Sequence, residues 1–164
     1  MPSVVTIGVY GFNLEAFLET LARAGARLVF DVRDRRAVRG AEYAWANAAR
    51  LQAALADAGI GYEHRRDLAT PSTLREIQYA ADAEEGVGKR SRTQLAAEVR
   101  DRYVDEVLAA ADLDQLVASL PDAGAAALLC VEQEPSACHR SLIAERLAAE
   151  HGVRIRHLRP HAGA

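Results

Sequence analysis

Apolar residues along the chain alternate between short continuous runs and stretches with helical spacing. Residues 4–10 and 27–32 are apolar and rich in β-branched side chains, which is typical of strands buried on both faces. Between them, apolar residues recur at helical spacing over residues 14–21, directly after Asn13, a residue type that favours a helix N-cap. The order strand, helix, strand predicts a right-handed crossover between two parallel strands.

The same alternation continues towards the C-terminus. Residues 42–59 predict a second helix, and the alternating pattern of residues 60–66 is typical of a half-exposed edge strand. The small apolar residues of 125–131 predict a fourth strand, which is followed by a helix from His139 and a last strand over residues 153–158. The sequence therefore predicts an α/β fold, a three-layer sandwich with a mostly parallel five-stranded sheet and the strand order 3-2-1-4-5.

The segment between the third and fourth strands has a weaker pattern. A short helix is expected over residues 70–77, and residues 95–108 and 113–120 predict two further helices. Residues 80–92 are charged and interrupted by glycine, which predicts a mobile surface loop, or alternatively a lid whose basic residues close over an anion. We expect the whole chain to form one domain, with residues 159–164 as a tail.

Composition and charge narrow the class of protein. Half of the 164 residues are hydrophobic, which is enough for a core, and the formal net charge is -3. This charge argues against a general polyanion-binding protein, although a local anion site remains open. No basic region precedes the first strand and no apolar run is long enough to span a membrane, so we expect a soluble, cytoplasmic protein with no membrane partner.

Both cysteines of the chain lie in one short segment near the C-terminus. Cys130 ends the predicted fourth strand, and Cys138 is followed directly by His139 and Arg140. Ser136 is a suitable N-cap, which would place Cys138 and His139 in the first turn of the next helix. The positive end of a helix and a nearby arginine favour the thiolate, which is the nucleophilic and metal-binding form of cysteine. The alternative is a cysteine that serves only as a small buried apolar residue.

Charged residues follow the second strand at its carboxyl end. Asp31 and Arg33 alternate with Val32, so both side chains are expected to point towards the crevice in which parallel sheets bind ligands. Arg39 lies farther along the same loop. The predicted topology places the crevice between the first and fourth strands, and we expect Cys138 and Arg33 to face it together. The residues expected to converge there are Gly8, Tyr10, Arg33, Glu132 and the turn that carries Cys138.

Several short segments together resemble a known family. These segments are Thr6-Ile7-Gly8, Asp31-Val32-Arg33, Gly61-Tyr62, and Leu129-Cys130-Val131-Glu132 followed by Cys138-His139-Arg140. They are similar to the family called domain of unknown function 488, and the resemblance covers nearly the whole chain. It implies a bacterial or archaeal protein with an α/β fold, no settled activity, and a pocket between the Asp31/Arg33 strand end and the Cys130 to Arg140 segment. Two loops depart from the family pattern, those after Arg33 and after Leu68, and both would lie at the rim of this pocket.

Three functions remain open from the sequence. The first is an enzyme in which Cys138 is the nucleophile and His139 or Glu132 transfers a proton. In this enzyme Arg33, Arg39 or Arg140 would bind a phosphate or carboxylate. The second is a module that binds a nucleotide or nucleic acid without turnover, and the third is thiol redox or metal chemistry between Cys130, Cys138 and His139. Further candidates for substrate binding are Asp31, Tyr10, Gly8 and Cys130. We expect no cofactor and no metal, because the chain contains no nucleotide fingerprint, P-loop or metal motif. The sequence leaves the oligomeric state open.

Overall fold

The computed structural model of the protein describes residues 2–160. Within these residues, five strands alternate with six α-helices and short 3-10 turns. The strands are β1 Ser3–Ile7, β2 Ala26–Asp31, β3 Gly61–His64, β4 Ala125–Leu129 and β5 Arg154–His157. The helices are α1 Leu14–Arg23, α2 Ala48–Asp57, α3 Ser72–Glu85, α4 Ala97–Glu106, α5 Leu113–Ala118 and α6 Arg140–His151. The predicted N-cap Asn13 is confirmed, since its side chain accepts a hydrogen bond from the backbone N–H of Ala16.

The five strands form one parallel sheet in the order β3-β2-β4-β1-β5. The α/β class and the parallel sheet are therefore confirmed, and the third strand lies at an edge as predicted. The predicted order 3-2-1-4-5 is wrong, because β4 lies between β1 and β2. Ala126 of β4 pairs with Val4 on one side and with Leu28 on the other. All five residues of β4 are buried, as expected for a central strand with neighbours on both edges.

The two faces of the sheet contribute to separate buried apolar clusters. One cluster contains Val5 and Val29 together with residues of α1 and α2. The other contains Val4 and Phe30 together with residues of α3 to α6. The neighbouring strands β1 and β4 thus continue into helices on opposite faces of the sheet. This arrangement opens a crevice at the carboxyl ends of the two strands, where the sequence places it.

Helices differ from the prediction in two places. The expected helix over residues 42–59 is divided into a 3-10 helix, Ala41–Ala46, and α2. In the segment expected to be a loop, residues 80–85 belong to α3, which ends at Gly86 in the left-handed conformation with φ 72°. Of the predicted tail, residues 161–164 lie outside the described residues. None of the helices within residues 2–160 combines the length and apolarity needed to cross a membrane.

Candidate functional site

A cavity of about 810 Å³ lies at the carboxyl edge of the sheet. Its walls come from the segments that follow β1, β2 and β4, from α3, and from residues 86–92, which we call the basic segment. Cys138 and Arg33 line this one cavity, as the sequence predicts. The other predicted site residues on its walls are Tyr10, Arg39, Cys130, Glu132 and His139. Gly8, Asp31 and Arg140 do not line the cavity.

Two sulfur atoms of the cavity wall lie beside one imidazole nitrogen. Nδ1 of His139 is 3.6 Å from Sγ of Cys138 and 3.7 Å from Sγ of Cys130. The other ring nitrogen, Nε2, is 2.9 Å from the carbonyl oxygen of Val32. Because a carbonyl oxygen only accepts, Nε2 carries a hydrogen and donates it to Val32. This bond fixes the ring with Nδ1 directed at the two sulfur atoms.

Cys138 lies before helix α6 and not in its first turn. The helix begins at Arg140, and Ser136 belongs to a short 3-10 turn upstream, so the predicted N-cap at Ser136 is wrong. The backbone of Cys138 is extended, with φ -139° and ψ 149°. Consecutive residues of a helical turn point in different directions. The extended conformation instead turns the thiol of Cys138 towards the ring of His139.

The pKa values of the cluster favour a charged pair. Burial raises the pKa of the Cys138 thiol, but the neighbouring Cys130 and the charges of His139 and Arg140 lower it well below its usual value. Burial lowers the pKa of His139, and the sulfur of Cys138 together with Glu132 more than offsets this, so that the pKa is raised. Both shifts favour a thiolate beside an imidazolium over the neutral pair.

Cys130 and Glu132 differ from this pair. Burial, together with the neighbouring Cys138, raises the pKa of the Cys130 thiol well above its usual value. Cys130 consequently keeps its proton, and its thiol donates to Oε2 of Glu132 at 3.4 Å. Burial also raises the pKa of the Glu132 carboxyl. The two cysteines thus have different protonation states although they share the same histidine.

Arg140 is completely buried, and neutral groups accept its hydrogen bonds. Its Nη1 donates to the carbonyl oxygen of Glu132 at 2.7 Å and its Nη2 to that of Gln133 at 3.1 Å, while Nε lies 3.3 Å from Oγ1 of Thr6. Within residues 2–160, no carboxylate forms an ion pair with it. A buried positive charge without a carboxylate partner stabilises a nearby anion. Arg140 therefore supports the thiolate of Cys138 from behind the cavity wall.

Asp31 and Arg33 form a buried ion pair. Nε and Nη2 of Arg33 donate to the two carboxylate oxygens of Asp31, each at 2.8 Å, and Nη1 donates to the carbonyl oxygen of Ala46 at 2.9 Å. The hydroxyl of Tyr62 donates to the same carboxylate at 2.6 Å. Although Arg33 lines the cavity, its charge is neutralised by Asp31. This pair supports the end of β2, and the cations that can bind a ligand must lie elsewhere.

Gly8 allows β1 to approach the segment that carries Glu132. A Cβ atom at this position would lie 1.9 Å from the carbonyl oxygen of Glu132. The backbone N–H groups of Val9 and Tyr10 both donate to the carbonyl oxygen of Val131 at 3.0 Å. Gly8 thus has a packing role, and the expectation that it contributes to substrate binding stays a prediction.

The basic segment supplies residues of the cavity wall that the sequence offered only as an alternative lid and did not place in the site. Arg92 is buried and pairs with Asp82 at 3.1 Å and with Glu132 at 3.3 Å, and Nη1 also donates to the carbonyl oxygen of Ala137. Lys89 lines the cavity from the same segment. The signal for these residues in the sequence is a group of three basic residues within four positions, next to two glycines. These contacts anchor the segment through Arg92, and its closure over an anion stays a prediction.

The sulfur and imidazole groups could also hold a soft divalent metal. The ligand atoms of Cys130, Cys138 and His139 all lie within 4.8 Å of one another. The two sulfur-to-nitrogen distances are close to the separation of about 3.5 Å between neighbouring ligands of tetrahedral zinc, and Glu132 could complete the set. The surrounding charges oppose metal binding, since the guanidinium groups of Arg140 and Arg92 disfavour an added cation. The charges therefore favour a metal-free thiolate.

Comparisons with known proteins identify a family. No curated protein and no solved structure matches the chain. A family model described as domain of unknown function DUF488 matches residues 13–147, a region that contains the two cysteines, the histidine and the three buried arginines Arg33, Arg92 and Arg140 of the site. Because this match covers most of the chain, the protein belongs to the DUF488 family, as its sequence motifs predict.

Proposed function

We propose that the protein is a cysteine-dependent enzyme that acts on a substrate with an anionic group. The observation that carries this proposal is the 3.6 Å contact between Sγ of Cys138 and Nδ1 of His139 at the wall of a cavity. A thiolate beside an imidazolium combines a nucleophile with a proton donor, the two groups that covalent catalysis requires.

The reaction would proceed in two steps. The thiolate of Cys138 forms a bond to an electrophilic atom of the substrate, and the bond to the leaving group breaks. The proton on Nδ1 of His139 passes to the leaving group. Water then attacks the covalent intermediate and gives a proton to His139, which releases the product and restores the thiolate and imidazolium.

The remaining residues would position the reacting groups or bind the substrate. Arg140 stabilises the thiolate, and Cys130 donates a hydrogen bond to Glu132, which lies beside the reacting groups. Arg39 and Lys89 line the cavity and would hold the anionic group of the substrate. Asp31 and Arg33 would act as positioning residues, because their charges are satisfied by each other.

A second candidate function is a binding module without turnover. The observation in its favour is the burial of Cys138, which is 1% exposed, so that a ligand would reach little of the sulfur. The basic residues of the cavity would bind a phosphate equally well in either case. The two candidates differ in the reactivity that they require of Cys138.

Alkylation of the two cysteines tests the enzyme proposal. Wild-type protein is treated with iodoacetamide from pH 5 to 9, and the modification of each cysteine is followed by peptide mass spectrometry. We expect Cys138 to react well below pH 8 and Cys130 to stay unreacted, because only Cys138 is a thiolate. His139→Gln and Arg140→Met should each move the reaction of Cys138 to higher pH. Inorganic phosphate should slow the reaction in the wild type, since the cavity is basic.

Arg50→Met is a suitable control, because Arg50 is exposed on α2, outside the cavity. Circular dichroism identifies variants that have lost the fold. If Cys138 titrates in the wild type like a free thiol, near about 8.5, the nucleophile role is wrong. Binding of phosphate with such an ordinary thiol would support the binding module instead.

A further inference from the structure

The cavity carries a charge opposite to that of the whole chain. The formal net charge of the protein is -3. Within residues 2–160, by contrast, seven arginine and lysine residues line the cavity against three aspartate and glutamate residues. Four of the seven form ion pairs, namely Arg33 with Asp31, Arg75 with Asp34, Arg90 with Glu42 and Arg92 with Asp82. Arg35, Arg39 and Lys89 make no side-chain hydrogen bond or ion pair with the described part of the chain.

Lys89 brings one of these three cations close to the reacting groups. Burial lowers the pKa of Lys89, but Glu132, Tyr79 and Cys130 raise it, and the net effect is a raised pKa. The ammonium group is therefore charged, and it lines the same cavity as Glu132, whose side chain accepts a hydrogen bond from Cys130. A ligand anion bound by Lys89 would share this cavity with the sulfur atoms of Cys130 and Cys138.

Tyr79 adds an aromatic surface to the same cavity. It lies on α3 and is 46% exposed, which makes it the one exposed large hydrophobic side chain within residues 2–160. The rings of Tyr10 and Tyr43 already contact a cation, because the guanidinium of Arg90 lies 5.2 Å from the centroid of each ring. Tyr79 and Lys89 line the same cavity, and Tyr79 also contributes to the raised pKa of that amine. A free aromatic face and a free cation thus lie in one cavity.

From this arrangement we propose that the substrate is a mononucleotide, with its phosphate on Lys89 and Arg39 and its base stacked on Tyr79. This rests on the proposed function, since the bond to be attacked must lie near Cys138. A phosphate monoester carries about 1.5 to 2 negative charges at neutral pH, which suits three free cations better than the single charge of a carboxylate. Stacking on an exposed aromatic ring beside basic residues is a general way to hold a base. The acidic net charge of the chain disfavours a polynucleotide.

Calorimetric titration of the full-length Cys138→Ser variant tests the ligand class without turnover. The probes are adenosine 5′-monophosphate, uridine 5′-monophosphate, ribose 5-phosphate and adenosine. We expect both nucleotides to bind about tenfold or more tightly than ribose 5-phosphate or adenosine, because only they offer phosphate and base together. Adding Lys89→Gln should weaken every phosphate compound. Adding Tyr79→Leu should weaken the nucleotides about tenfold and leave ribose 5-phosphate unchanged, and Arg50→Gln should change nothing.

Other outcomes overturn parts of the proposal. Equal binding of ribose 5-phosphate and the nucleotides would refute stacking on Tyr79, and equal binding of adenosine would refute the phosphate site. Tighter, steeply salt-dependent binding of an oligonucleotide would point to nucleic acid instead. If no probe binds while Cys138 keeps its low-pH alkylation, the nucleotide is wrong and the cysteine enzyme stands. If nucleotides bind while Cys138 titrates as a free thiol, the ligand class stands and the nucleophile is wrong.

Discussion

Replacing Gly8 with alanine should destabilise the fold and the site together. The new Cβ would lie 1.9 Å from the carbonyl oxygen of Glu132, so β1 and the segment after β4 would have to separate. Such overpacking typically costs about 1–3 kcal/mol. The separation also strains the two backbone hydrogen bonds to Val131, each worth about 0.5–1.5 kcal/mol. We expect Gly8→Ala to lower the free energy of unfolding by about 2–6 kcal/mol, measured by urea denaturation at a constant m-value.

Gly88→Ala is the matched control. A Cβ at Gly88 meets no atom within 4 Å, and the backbone there is not left-handed. The substitution should leave stability unchanged or raise it by up to about 1 kcal/mol, because alanine restricts the unfolded chain. A Gly8→Ala variant within about 1 kcal/mol of the wild type would refute the close approach. Equal losses in both variants would show that any added methyl group destabilises the protein and that the position of Gly8 is not special.

Three other substitutions test the charges around the strand ends. Asp31→Asn should lower the free energy of unfolding by about 3–5 kcal/mol, because it leaves the guanidinium of Arg33 buried without its counter-charge. Tyr62→Phe removes one hydrogen bond to the same carboxylate and should cost about 1 kcal/mol, so equal losses in urea denaturation would contradict the ion-pair argument. The third test concerns pH, because the hydrogen bond from Arg66 and a second arginine lower the pKa of Asp34 although burial opposes them. A carboxyl whose pKa is lower in the folded state stabilises the fold above its unfolded pKa of about 3.9, and this contribution is lost as the pH falls through the folded value. The stability difference between wild type and Asp34→Asn should therefore shrink as the pH falls below the unfolded pKa of about 3.9, and a difference that does not change with pH would argue against the pairing.

Local patterns were enough to predict most of the fold. Strands and helices follow from the spacing of apolar residues, and the side of the sheet on which ligands bind follows from the order of strands and helices. The strand order was not predictable in the same way, because it depends on which strands pair across long stretches of sequence. The burial of β4 on both faces, with Ala125 to Ala127 at its start, was compatible with a central position but did not specify its neighbours.

The sequence predicted which residues belong to the candidate site, but it predicted the roles of these residues less well. A sequence shows where the charges lie and not which charges are already paired. Asp31 and Arg33 are two positions apart at the end of β2, so they share one face, and their mutual ion pair could have been inferred from this spacing. The partners of Arg140 are two backbone carbonyls of the loop after β4 and the hydroxyl of Thr6 in β1, and no local pattern indicates them.

The contacts of Arg92 have a consequence for how a ligand can reach the sulfur. This guanidinium joins Asp82 of α3 to Glu132 after β4, while Lys89 lies three positions upstream on the same segment. Swinging the whole segment outward would leave two buried carboxylates without their shared counter-ion, a costly state in a dry environment. A ligand would therefore enter the cavity at a lower cost in free energy if only side chains at its mouth rotate, where Arg39 and Tyr79 are exposed. A ligand would then reach the thiolate through an opening whose backbone stays in place, and no segment would have to swing away like a hinged flap.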